Sequence, residues 1–239
     1  MQIVVAKNEK SFNEIVAKEI ITLVKSKPDA TLGLATGGTP VGVYNELVTD
    51  HVLNGTSYKD VTTINLDEYL GIGADNDQSY RFFMDTHLFD SIDIKNENIN
   101  IPNGLAVSPE AECCRYSALL SLSTIDLQIL GIGNNGHIAF NEPGTPFDSK
   151  THVVNLTEST IDANSRFFDS KDQVPTRAIT MGLSEIMKAK RILLLAKGKA
   201  KAQIIKDLIE GPISEDIPAS ILKRHKNVLV ILDEEAAGK

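Results

Sequence analysis

Residues 31–53 read TLGLATGGTPVGVYNELVTDHVL and contain one complete strand–turn–helix unit. Thr31–Thr36 is a short apolar and β-branched run, Ala35–Pro40 is a glycine-rich turn, and Val41–Leu53 carries a helical pattern. The same unit recurs along the chain. Further buried strands are expected at Val61–Leu66, Asp126–Leu130, Ala178–Met181, Arg191–Ala196 and Val228–Leu232. Helices are expected at Ser11–Ser26, with apolar residues at Phe12, Ile15, Val16, Ile20 and Leu23 behind a serine cap, and at Ser79–Leu88, Pro109–Leu122 and Lys199–Ile209. Strands that alternate with helices predict an α/β fold: a doubly wound, mostly parallel sheet with helices on both faces, Rossmann-like and a single domain. Such a sheet puts all its carboxyl ends along one edge, where ligands bind. Each informative motif of this chain directly follows one of the expected strands.

The 239 residues, 42% of them hydrophobic, suffice for one large core without a linker or repeat. No run approaches the roughly 18–20 apolar residues of a membrane span. The opening MQIVVAKNEKSF turns charged too soon for a signal peptide. A cytoplasmic location and no membrane partner are therefore expected. The two cysteines, Cys113 and Cys114, are adjacent, which excludes a disulfide framework and a cysteine-based zinc site. The histidines show no metal-ligand spacing, so no metal is assigned. A net charge of −8 disfavours nucleic acid as a partner. A phosphorylated substrate would need a local positive field.

The turn Ala35-Thr36-Gly37-Gly38-Thr39-Pro40 fits an anion. Its glycines permit a sharp bend, and the following helix offers free N–H groups and a positive dipole end. It lacks the Gly-Lys-Ser/Thr ending of a nucleotide P-loop. In Asn65-Leu66-Asp67-Glu68-Tyr69-Leu70-Gly71, paired acids end a strand. One of them can act as a general base if desolvated, and the bland alternative is a helix cap or a solvated turn. Gly131–Gly136 matches Gly-x-Gly-x-x-Gly, but Pro143, Gly144 and Pro146 deny it the long helix that a dinucleotide site needs. The segment offers instead His137, which titrates near neutrality, with Glu142 near enough in sequence to orient it. The candidate cations are Arg166 and, after the strand RILLLA, Lys197, Lys199 and Lys201, among which spacing does not decide.

Four strings, LGLATGGTPVGVY (32–44), NLDEYLG (65–71), GIGNNGHIAFNEPGT (131–145) and ANSRFFDS (163–170), resemble the glucosamine-6-phosphate deaminase (isomerising) family in order and spacing. The resemblance runs along nearly the whole chain. It implies ring opening of an amino-sugar phosphate by His137, oriented by Glu142, and proton transfer from carbon 2 to carbon 1 by Asp67. Hydrolysis of the resulting imine then releases ammonia. No cofactor is implied, since the proton moves between neighbouring carbons. Thr36, Gly37, Gly38, Thr39, Arg166 and Lys199 match the family's phosphate pocket. Three departures stand out. Asn135 occupies a site where many members have aspartate, and Asn76-Asp77-Gln78-Ser79-Tyr80 replaces His-Pro-x-Ser-Tyr. His152 and Val154 stand where allosterically activated members have basic residues. The resemblance therefore implies a non-allosteric monomer or small homo-oligomer. The 6-phosphogluconolactonases share the fold and the Gly-His pair but lack the Phe-Asn-Glu-Pro continuation. A sugar-phosphate-sensing module is the other alternative, and no helix-turn-helix segment or basic arm favours it.

Overall fold

The runs Ile192–Ala196 and Val228–Leu232 show no apolar–polar alternation, and every residue in them is buried. That is the pattern of strands covered on both faces. In the computed structural model, which describes residues 1–165 and 170–239, they lie side by side in a parallel sheet. Among the described residues this sheet has seven strands. Their order is β1 (Gln2–Ala6), β10 (Val228–Asp233), β9 (Ile192–Ala196), β6 (Leu127–Gly131), β2 (Thr31–Leu34), β3 (Thr62–Asn65) and β5 (Ile99–Asn100). All its pairings are parallel.

From β2 the chain runs outward through α2 (Val41–Asn54) to β3, whereas from β6 it runs the other way to β9. The strand order thus reverses between β2 and β6, and their diverging carboxyl ends open the crevice typical of such a switch point. The doubly wound α/β expectation holds.

Ala178–Met181 does not join this sheet. It falls in β8 (Arg177–Thr180), the centre of a small antiparallel sheet with β4 (Asp67–Tyr69) and β7 (His152–Asn155). A four-residue apolar run carries no information about its partner. Here one partner is the acid-rich Asp67–Tyr69, of low strand propensity, and the other is His152–Asn155.

Helix α1 (Glu9–Ser26) starts two residues before Ser11. Asn8 is its N-cap, accepting from the Ser11 N–H at 2.8 Å, and Ser11 returns the favour in a capping box. Its buried face includes Phe12, Val16, Ile20 and Val24, each burial worth roughly 1.5–3 kcal/mol. Helix α3 (Tyr80–His87) is capped by Ser79, and α4 is Pro109–Leu122, capped by Ser108. Short helices α5 (Glu158–Asn164) and α6 (Leu183–Ile186) follow. The helix expected from Lys199 starts as a 3₁₀ turn, Lys199–Lys201, before α7 (Ala202–Glu210). No helix among the described residues is long and apolar enough to cross a membrane.

Candidate active site

The carboxyl end of β2 supplies the first wall. Gly37 takes φ +98°, which an L side chain rarely adopts. A Cβ at Gly37 or Gly38 would meet nothing within 4 Å, so the turn faces open space. Helix α2 follows with Pro40 at the N-cap and no side chain capping it. Its first N–H groups and positive end are therefore presented to whatever lies in front. The buried Tyr44 hydroxyl donates to the Ala35 carbonyl at 2.5 Å and ties the turn to its own helix. Thr36, Gly37, Gly38 and Thr39 all line one cavity of about 770 Å³ at the switch point.

The acid pair divides its labour. The Glu68 carboxylate accepts the N–H groups of Tyr80 (2.9 Å) and Arg81 (3.0 Å), the first two residues of α3, and that of Tyr69 (2.9 Å). Burial pushes its pKa up to about 7 against these three donors. Glu68 thus caps a helix, the bland alternative read from the sequence. Asp67 instead lines the cavity. It is only 7% exposed, and no described residue donates a hydrogen bond to it. Burial, and then the neighbouring Glu68 charge, push its pKa up to about 8.

The third wall follows β6. No helix occurs among residues 132–151, so the dinucleotide reading of Gly131–Gly136 fails in the structure as in the sequence. The His137 ring sits over Gly133, where a Cβ would lie 2.3–2.5 Å from the imidazole atoms. Only glycine leaves room for the ring. His137 Nδ1 faces Glu142 Oε2 at 3.4 Å, and Asn135 Nδ2 donates to the same oxygen at 2.6 Å. The Asn135 side-chain oxygen accepts the His137 N–H at 3.2 Å. The other Glu142 oxygen, Oε1, accepts from Thr160 Oγ1 at 2.5 Å and from Thr157 Oγ1 at 3.3 Å. Burial would raise this carboxyl. His137, by hydrogen bond and by charge, then Thr160 and Asn135, outweigh that and hold it at about 2. His137 and Asn135 line the cavity, and Glu142 stands behind them. Ala139, also in the wall, has φ +52°, the kind of backbone strain that clusters at functional sites.

Of the two cations carried over from the resemblance, Arg166 lies outside the described residues. Lys199 is exposed and absent from the cavity wall, its N–H bound to Glu235 Oε2 at 3.1 Å. Lys201 lines the cavity instead, because the 3₁₀ turn rotates its third residue, not its first, toward the crevice. Asp77 and Gln78, from the segment that departs from the family pattern, reach the cavity from the loop before α3, and Phe83 and His87, which the sequence did not single out, reach it from α3. The i,i+4 spacing of Phe83 and His87 on an expected helix was the available signal. Tyr69, Tyr80 and Phe140 form an aromatic group on the same wall, with Tyr80 and Phe140 stacked at 6.1 Å. No group of metal-ligating side chains occurs among the described residues.

Similarity to known proteins extends over nearly the whole chain. A family model described as glucosamine-6-phosphate isomerases/6-phosphogluconolactonase matches residues 6–231. The glucosamine-6-phosphate deaminase of Bacillus velezensis is 52% identical over 239 residues, spanning 100% of this chain and 99% of its own. That of a Geobacillus species is 54% identical over 237 residues, spanning 99% and 94%. The solved structure of a monomeric glucosamine-6-phosphate deaminase superposes with a TM-score of 0.98 at 50% identity, covering 100% of this chain and 99% of that one. A 6-phosphogluconolactonase from Trypanosoma brucei reaches 0.81 at 20% identity, covering 99% and 97%, a likeness of fold alone. With the cavity at the β2–β6 switch point and a family match over nearly its full length, this chain belongs to the glucosamine-6-phosphate isomerase/6-phosphogluconolactonase family.

Proposed function

We propose that this chain is an enzyme that converts glucosamine 6-phosphate and water into fructose 6-phosphate and ammonia. The full-length relatives at about half identity carry that activity in their names. The observation that carries the reading within this structure is Asp67: a buried carboxyl on the cavity wall, pushed up to about 8 with no cation among its causes. An amino sugar brings its own cation. Its ammonium beside Asp67 would draw the carboxyl back to the ionised form, since an opposite charge favours the charged state. The base is then armed when the substrate arrives. A neutral lactone offers no such partner, which disfavours hydrolysis of 6-phosphogluconolactone.

The phosphate would rest on the Thr36–Thr39 turn and the α2 N-terminus, with Lys201 from the opposite side. His137, its Nδ1 directed at Glu142, has its other ring nitrogen left to move the proton between ring oxygen and solvent during opening. Asp67 takes the proton from carbon 2, giving an enolamine, and returns it to carbon 1, giving an imine. Water adds to the imine carbon, and ammonia leaves. Asn135 enters as a clamp on Glu142 rather than as a proton carrier. The assembly is inferred to be a monomer or small homo-oligomer working in the cytoplasm without allosteric activation. The half-identical monomeric relative supports the first part, and His152 and Val154 in place of basic residues support the last.

The test is release of ammonia and fructose 6-phosphate from glucosamine 6-phosphate. Wild type should release both in equal amounts, with hyperbolic kinetics in the presence and absence of an N-acetylated sugar phosphate. Asp67→Asn should be slower by roughly 100- to 10,000-fold. Binding without turnover by folded wild type would point to a sensing module, and lactone hydrolysis unaffected by Asp67→Asn would point to the hydrolase.

A further inference from the structure

Helix α5 contributes a pair of hydroxyls to which the reaction outlined above assigns no task. Thr157, the N-cap of α5, donates from Oγ1 to Thr160 Oγ1 at 3.0 Å, and Thr160 donates in turn to Glu142 Oε1 at 2.5 Å. Thr157 Oγ1 also accepts the Thr160 N–H at 3.4 Å. The result is a chain of donors running from the α5 backbone through two hydroxyls into the carboxylate behind His137. Donors in series polarise one another, so the last bond is strengthened by the first. Thr160 is 5% exposed, yet it belongs to the cavity wall.

The two oxygens of Glu142 are thereby held from opposite sides. Asn135 and His137 on the glycine loop hold Oε2, and Thr160 on α5, backed by Thr157, holds Oε1. Neither set alone defines where the carboxylate points. The contact from the loop to His137 is the long one, at 3.4 Å, so a small rotation of Glu142 decides whether the ring is oriented at all. We infer that Thr160, supported by Thr157, is a positioning residue of the active site, holding Glu142 so that His137 keeps the orientation needed for ring opening. This inference rests on the proposed deaminase reaction for its kinetic consequence but not for its structural one. Among the described residues the titratable group in contact with Glu142 is His137 from its own loop, and α5 brings Thr157 and Thr160 against it.

The experiment pairs Thr160→Val, which keeps the shape and removes the hydroxyl, with Thr160→Ser, which keeps the hydroxyl. Two readouts are taken on the full chain. In the first, carbon-13 NMR of the glutamate carboxyls and of the histidine ring follows the titration of Glu142 and His137. Thr160→Val should raise the Glu142 midpoint by roughly one to two pH units, the equivalent of one hydrogen bond to a charged group. Thr160→Ser should stay within a few tenths of wild type. In the second, ammonia release should show kcat lowered about tenfold in the valine variant with KM within about twofold, and restored by serine. A valine variant that titrates like wild type overturns the inference, as does a serine variant that fails as badly as valine. If wild type releases no ammonia, the deaminase reading falls, and the titration alone still decides the role of Thr160.

Discussion

Two carboxyls of this site, Asp67 on the cavity wall and Glu142 behind it, are each 7% exposed, yet they are pushed in opposite directions. Asp67 sits at the start of β4 with no donor among the described residues and rises to about 8. Glu142 sits on the glycine loop under three donors, Asn135, His137 and Thr160, and falls to about 2. Burial pushes both upward; at Asp67 nothing opposes it, whereas at Glu142 the hydrogen bonds and the His137 charge outweigh it. Separating two acids in this way is how one site holds a proton-exchanging group beside a permanently charged one. Asp67 can give and take a proton near neutrality. Glu142 keeps its charge and serves His137.

The contrast has opposite signs in stability. The folded pKa of Asp67 lies above its unfolded value, so its contribution is fully present below about pH 4 and is lost as pH rises through about 8. Wild type should lose up to about 4 kcal/mol of stability between pH 5 and pH 9 on this account, and Asp67→Asn should flatten that slope in denaturant titrations. An unchanged slope would mean that Asp67 is not desolvated. Glu142 behaves the other way, its contribution present above about pH 4.5 and lost as pH falls toward 2. Glu142→Gln, which keeps the shape and removes the charge, should cost kcat roughly 100-fold, within the range for misplacing a general acid–base group. Equal kcat in the variant would remove Glu142 from the proposed mechanism. The smallest change tests the floor under His137. Gly133→Ala should lower kcat about tenfold by displacing the ring, in line with misplacing a catalytic group by a fraction of an ångström to an ångström. Its thermal midpoint should remain near that of wild type.

Much of this was legible beforehand, and the pattern of what was not is physical. Buried central strands announce themselves by unbroken apolar runs, so Ile192–Ala196 and Val228–Asp233 were within reach, and Pro109–Leu122 had both its cap and its proline. The strands Ile99–Asn100 and Asp67–Tyr69 are too short or too polar to be seen without their partners. In the site, backbone-driven features were readable: the Gly37–Gly38 turn and the loop that refuses a helix. Side-chain direction was not. Whether Lys199 or Lys201 reaches the cavity depends on a single 3₁₀ turn, and the division of labour between Asp67 and Glu68 depends on which of two neighbours meets the N-terminus of α3. Thr157 and Thr160 carry no sequence signal for their contact with Glu142, because the partners come from different elements, α5 and the glycine loop.

One edge strand of the main sheet, Gln2–Ala6, pairs with Val228–Asp233, its single neighbour among the described residues. During synthesis this first strand must therefore wait for more than two hundred residues before its partner exists. At some 5–20 residues per second that is tens of seconds with an unpaired, β-prone edge in solution. The loop it must finally close is among the longest the chain has, a slow step by the usual dependence of folding rate on contact separation. Completion of the sheet, and with it the seating of α1 against β10, thus waits for the synthesis of Val228–Asp233. The stretch 2–6 is the part of the molecule most exposed to mispairing until then.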